Sequence, residues 1–342
     1  MAEGARGKRS SRASVGVARM TVAFLFPGQG SQRVGMGREL AENFALARQT
    51  FEEADQALGL ALSRLCFEGP EEELRLTENA QPALLATSVA ALRVFRAECA
   101  AEPMLAAGHS LGEYSALVAA GAVDFAAAVR AVRERGRLMQ SACPPGAGGM
   151  AALVGLGVAE VEEICRAASD SADFVVPANL NGPGQTVVAG HSAAVGRAIR
   201  LARERGARMA VELKVSAPFH SPLMEPAKHA MRSVLAEVAF RPPAFGIVAN
   251  VTGKVNVDPQ AARDLLVEQV TAAVRWHDSM LALAQAGVLK AVEFGPGRVL
   301  AGLMARIDRR VTVHPVDGVA SLKEACAAFA RNGDRPPAKP GK

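Results

Sequence analysis

The chain has 342 residues, 50% of them hydrophobic and 21% charged, proportions that suit one or two globular domains around a substantial core. Its formal charge of +5 is concentrated in the tails: residues 1–20 hold five basic residues against one acid, and residues 331–342 hold four against one. The body is left slightly acidic, which removes the basic pI as evidence for nucleic-acid binding.

The five cysteines and six histidines are scattered without Cys-x-x-Cys or metal-ligand spacing. A zinc site and a disulfide framework are therefore not expected, and a reducing, cytoplasmic setting is. No apolar run reaches the roughly 18 residues of a membrane span. Residues 1–20 and 331–342 read as disordered basic tails. The first is Arg- and Ser-rich and acid-poor, as an organellar transit peptide would be. The strand pattern that begins at once from Thr21 argues instead for a bacterial protein whose translation starts at Met20.

Val22 to Phe26 predicts a strand, and Pro27-Gly28-Gln29-Gly30-Ser31-Gln32 a loop. That loop lacks the third glycine of a dinucleotide fingerprint and the Gly-Lys-Ser/Thr end of a phosphate loop, so it predicts no nucleotide site. At most it holds an amide or backbone donor at the C-terminal edge of a sheet. Apolar spacing predicts helices over Glu39 to Leu58 and Gln81 to Glu98. Met104-Leu105-Ala106-Ala107 reads as a buried strand leading into Gly108-His109-Ser110-Leu111-Gly112, with helix from there through Gln140. In that context a serine is pushed out on a sharp turn, and the N–H of the next residue, Leu111, lies at a helix N-terminus where it meets a developing negative charge. The same glycines with a capping serine would also make an ordinary tight turn.

Residues 141–149 break the alternation and a new pattern begins. Met150 to Leu156 predicts a strand, Val158 to Ala168 a helix, Phe174 to Asn179 and Gln185 to Ala189 two strands, Ser192 to Arg205 a helix and Arg208 to Val215 a strand. This β-α-β-β-α-β order is the ferredoxin-like unit. Afterwards come helix 223–238, strand 245–250, helices 259–274 and 278–286, strand 289–294, helix 297–307 and a strand near 311–316. The expected fold is α/β: a large α/β-hydrolase-like domain with a mainly parallel sheet (21–146 and 217–320) and an inserted ferredoxin-like (βαββαβ) domain (147–216).

Ser110 needs a base within hydrogen-bond reach. His220 lies in Ser216-Ala217-Pro218-Phe219-His220-Ser221-Pro222, where the chain crosses from the small domain to the large one, a natural cleft edge. His314 lies near the C-terminus, where hydrolases of this general architecture often keep their base. His220 ranks first and His314 second. With His314, and Asp308 or Asp317 as the acid, the chain would be an esterase or thioesterase. A non-catalytic docking protein is a third reading.

Six stretches agree, in order, with one family: Phe26 to Gln32, Gly108 to Leu117, Arg135 to Gln140, Asn179 to Gln185, Pro218-Phe219-His220 and Gly295-Pro296-Gly297. From Thr21 to Val316 the chain resembles malonyl-CoA:acyl carrier protein transacylases and the related acyltransferase domains of polyketide synthases. The resemblance implies that Ser110 becomes malonylated, that His220 is the general base, and that the N–H groups of Gln29 and Leu111 form the oxyanion hole. Arg135 would hold the free carboxylate of malonate, as a planar guanidinium suits; the residue pattern alone reads it as a surface ion pair. The family has no acid as third member. A backbone carbonyl would orient the imidazole, from the end of strand 245–250 at Asn250 or from the segment around Arg275-Trp276. His109 and Asn181 match positions near the pocket. Phe219, with Leu111, fits the malonyl-selecting pattern by leaving no room for an α-methyl group.

No metal and no cofactor are implied, malonyl-CoA being a substrate. The implied partner is an acidic acyl carrier protein that binds transiently. Arg197, Arg200, Arg203, Arg205 and Arg208 are candidates for part of its docking face, or for a solvated helix surface. The family further implies a monomer, with no nucleic-acid or membrane partner.

Overall fold

A computed structural model describes residues 21–99 and 101–330; the expected disorder of both tails lies outside the described residues. Among the described residues ten strands form two sheets: β1 (Val22–Phe26), β2 (Leu105–Gly108), β3 (Gly148–Val154), β4 (Val175–Gly182), β5 (Gln185–His191), β6 (Met209–Glu212), β7 (Gly246–Ala249), β8 (Lys254–Asn256), β9 (Lys290–Phe294) and β10 (Thr312–Val316).

The larger sheet has the order β10-β9-β1-β2-β7-β8, parallel except where β8 turns back on β7. Every residue of β1 and β2 is buried, because helices cover both faces of such a sheet. Alternation divides their side chains between two cores. Phe24 and Phe26 enter one with Phe95 and Phe294, and Ala23 and Leu25 enter the other with Trp276 and Leu283. Edge-to-face contacts of Phe24 with Phe294 (4.8 Å) and Phe95 (5.9 Å) centre the first core.

The smaller sheet is antiparallel, order β4-β5-β3-β6, with helices Val158–Ala168 and Ser192–Glu204 packed on one face. This is the ferredoxin-like unit expected. Its other face turns toward the large sheet. Its edge strand β4 is tied across by two backbone bonds of 2.9 Å, Val274 N–H to the Ala178 carbonyl and Leu180 N–H to the Val274 carbonyl.

Several expected elements are corrected. The helix read over 39–58 is two helices, Arg38–Asn43 and Ala45–Leu58, because Phe44 takes extended backbone (φ −132°) and packs on the core. The helix read through Gln140 stops at Ala119 and restarts at Phe125. Gly121 there takes φ 69°, and the Asp124 side chain caps the second helix through the Ala127 N–H. Helices Leu62–Glu68, Glu71–Arg75 and Val319–Phe329, and strand β8, were not expected. The last of these helices buries Leu322, Ala325 and Phe329, so the large unit runs past residue 320. Among the described residues no helix is long and apolar enough to cross a membrane.

Candidate active site

The C-terminal ends of β1 and β2 meet the uncovered face of the small sheet at a cleft of about 500 Å³. Gln29, Ser110, Arg135 and His220 line it from the large unit, and Met150, Val187 and Leu213 from the small one.

Ser110 follows β2 with φ 50°, a left-handed conformation rare outside glycine. Sterics around it dictate the two flanking glycines. A Cβ on Gly108 would collide with the Gly112 backbone, and one on Gly112 with the Phe26 carbonyl. The turn is pinned by Asn250 at the end of β7. Its Oδ1 accepts from the Ser110 N–H and its Nδ2 donates to the Gly108 carbonyl, both at 2.7 Å.

His220 also has positive φ, 58°. Its Nε2 lies 2.8 Å from Ser110 Oγ, and its Nδ1 lies 2.8 Å from the Gln269 carbonyl. A carbonyl can only accept, so Nδ1 carries the proton and Nε2 presents a lone pair to the serine hydroxyl. Burial, reinforced by the positive Arg135, pulls the imidazole down to about 3.

Arg135 is 1% exposed on helix Phe125–Ser141. Its Nη1 donates to Gln81 Oε1 (2.8 Å), and its Nη2 to Gln269 Oε1 (2.9 Å) and Ser110 Oγ (3.1 Å). The surface ion pair that the residue pattern suggested is instead made by its neighbour Arg137, with Glu134. His109 and Asn181 face each other at 2.9 Å across the cleft. The Gln29 side chain donates to Thr77 Oγ1 at 3.2 Å. The backbone N–H groups of Gln29 and Leu111 donate to no other group among the described residues.

A serine on a strained elbow beside a carbonyl-oriented histidine is the arrangement that can form an acyl ester, and the buried arginine puts a cation on the same oxygen. From residue 23 to 321 the sequence matches the family described as the acyl transferase domain. It is 43% identical over 313 residues to the malonyl CoA-acyl carrier protein transacylase of Bacillus subtilis (strain 168), covering 92% of this chain and 98% of the relative. The chain belongs to the malonyl CoA-acyl carrier protein transacylase family. The transacylase of Salmonella typhimurium is 46% identical over 303 residues, 89% of this chain and 98% of the relative. The solved structure of the Coxiella burnetii transacylase matches with TM-score 0.89 and 40% identity, over 92% of this chain and 99% of that one. A malonyl-transacylase solved in complex with a type II PKS acyl-carrier protein matches with TM-score 0.88 and 44% identity, over 90% of this chain and 99% of that one.

Within this transacylase fold several sequence expectations change. Asn250 does not orient the imidazole; it braces the Ser110 turn. Arg275 does not either, since its half-exposed side chain pairs with Asp278 at 3.3 Å. The orienting carbonyl belongs to Gln269, where the helix expected to run to 274 ends early (Pro259–Gln269). His314 is on β10, three strands from β2, and packs against Phe329. The acids offered with it are engaged elsewhere, Asp308 by Arg310 and Asp317 by Arg33 and Ser321. The Phe219 side chain lines the cleft, whereas Leu111 is buried in the core.

Gln81, Glu113 and Gln269 were missed. Glu113 adjoins the serine motif and was read only as part of a helix start. It is buried, accepting from Gln269 Nε2 (2.7 Å) and the Asn250 N–H (3.1 Å), and burial pushes its carboxyl up to about 7. Among the described residues no group of three or more His, Cys, Asp or Glu side chains is placed to hold a metal ion.

Proposed function

We propose that this chain transfers the malonyl group of malonyl-CoA to the phosphopantetheine thiol of acyl carrier protein through a malonyl ester on Ser110, supplying fatty acid synthesis. The reaction is ping-pong. The Ser110 hydroxyl gives its proton to His220 Nε2 as its oxygen attacks the thioester carbonyl. The oxyanion is met by the N–H groups of Gln29 and Leu111. The C–S bond breaks, and coenzyme A leaves with the proton that His220 returns. The carrier thiol then repeats these steps in reverse order on the malonyl ester. No metal or redox cofactor takes part.

The observation that carries this reading is the Arg135 Nη2 contact to Ser110 Oγ at 3.1 Å. It puts a buried cation beside the reacting oxygen, where the free carboxylate of a malonyl group would lie. An esterase acting on neutral acyl groups has no use for a buried cation there. Phe219 narrows the cleft against an α-methyl substituent, a discrimination of about 1–3 kcal/mol at best.

The enzyme acts as a cytoplasmic monomer. Part of the basic surface offered for carrier docking is engaged internally: Arg197 pairs with Asp170 at 2.9 Å, Arg205 pairs with Glu163 at 3.0 Å, and Arg203 donates to the Ala210 carbonyl at 2.8 Å. Arg208, and Arg200 with only a long 3.4 Å bond to the Gly196 carbonyl of its own helix, remain the better docking candidates. The test is mass spectrometry after malonyl-CoA treatment. A malonyl adduct on the Ser110 peptide that disappears on adding holo carrier protein is expected; no adduct would refute the reading.

A further inference from the structure

The guanidinium of Arg135 is buried without a carboxylate against it. Its hydrogen-bond acceptors are all neutral: Gln81 Oε1, Gln269 Oε1 and Ser110 Oγ. The Tyr114 ring lies 5.7 Å away in a cation–π contact, and its phenol, which burial pushes up to about 12, stays neutral beside the guanidinium. A carboxylate stands behind this layer, but Gln269 separates it. One end of that amide accepts from Arg135, while the other end donates to Glu113. Burying a cation without a counter-ion is costly. Here its effect falls on the atoms that react, since Ser110 Oγ accepts from Arg135 while facing His220 Nε2 at 2.8 Å.

We propose that Arg135, besides holding the malonyl carboxylate, keeps His220 from taking up a proton until that carboxylate neutralises the guanidinium, so that malonyl-CoA switches on the base it needs. This rests on the malonyl-transfer reading above. A cation beside an imidazole disfavours a second positive charge, and neutralising that cation removes the penalty. In the free enzyme His220 is accordingly pulled well below its ordinary value, with burial the larger cause and Arg135 the next. The other titratable or charged groups near it are His109 before the serine turn, Glu113 on the following helix, and Arg75 and Lys214 lining the cleft. Glu113, pushed up to about 7 by burial, is only partly ionised at neutral pH, and the Gln269 amide stands between it and the guanidinium, so it offsets that cation only in part. An acyl group without a carboxylate leaves Arg135 on Ser110 Oγ and the base restrained. Selection for malonyl then arises in the proton transfer as well as in binding.

The experiment is an NMR titration of the His220 imidazole in the Ser110→Ala enzyme, which binds thioesters without turning them over. Saturation with malonyl-CoA should raise the His220 midpoint by about 1–3 units, while acetyl-CoA leaves it low. An unchanged midpoint, or the same rise with both thioesters, would overturn the proposal. The same titration on free Arg135→Gln enzyme should show the midpoint already raised and indifferent to malonyl-CoA. A midpoint unchanged from the parent would overturn the proposal from the other side. Malonyl transfer to carrier protein by the unaltered enzyme is measured in parallel. Its absence refutes the function itself, whereas transfer with an immobile His220 midpoint refutes only the restraint.

Discussion

His220 and His314 are the two histidines that the sequence offers as a base for the nucleophile, His220 ahead of His314, and they differ in what surrounds them. Around His314 each candidate partner is already engaged, Asp308 by Arg310 at 2.6 Å and Asp317 by Arg33 at 3.2 Å, and the ring rests on Phe329. Around His220 the groups are left unbalanced. The imidazole is buried and neutral, the serine is strained, and the arginine has no carboxylate. A satisfied cluster of the right residue types is structure; a buried cluster held out of balance can do chemistry.

The largest effect should separate the two histidines directly. His220→Ala should lower malonyl transfer by about 10³-fold, within the usual range for removing a general base. His314→Ala should leave it unchanged, and a comparable loss there would undo the comparison. Glu113→Gln probes the imbalance through stability. The Glu113 carboxyl is raised from 4.5 to about 7 in the fold, so its contribution is fully present below pH 4.5 and is lost as pH rises through 7. Denaturant titrations at pH 4 and pH 8 should show the unaltered enzyme losing up to about 3 kcal/mol relative to the variant. Parallel stability curves would contradict the assignment.

Asn250→Ala removes both bonds that brace the Ser110 turn. We expect a loss of about 2 kcal/mol in transition-state stabilisation, roughly 30-fold in kcat/KM, since the orphaned groups are buried. The smallest effect concerns selectivity. Phe219→Ala should improve methylmalonyl-CoA relative to malonyl-CoA by about 10-fold, measured as a ratio of kcat/KM values.

Much of this was legible in the sequence, for identifiable reasons. The serine turn could be read because its causes are local: two glycines forced by close backbone approach and a strand and helix on either side. The small unit followed from its element order. Gln269 and Gln81 could not be read. Each is a neutral amide whose role exists only because chain segments far apart in sequence converge on Arg135. Arg135 itself sits among surface arginines on one helix; the residue pattern reads it as an ion pair, the family resemblance marks it out, and the packing gives the physical reason, since it alone of them is buried. The break at Phe44 and the early end at Gln269 likewise depend on tertiary contacts that override apolar spacing.

The most direct test of the account compares malonyl-CoA with acetyl-CoA in Arg135→Ala enzyme, reading kcat/KM for each. Loss of the charged partner should cost malonyl transfer about 10²- to 10³-fold, the scale of a buried ion pair broken on one side. Acetyl transfer, which has no carboxylate to lose, should fall little or rise. Equal losses for the two substrates would contradict the claim that this cation exists for the carboxylate of the substrate.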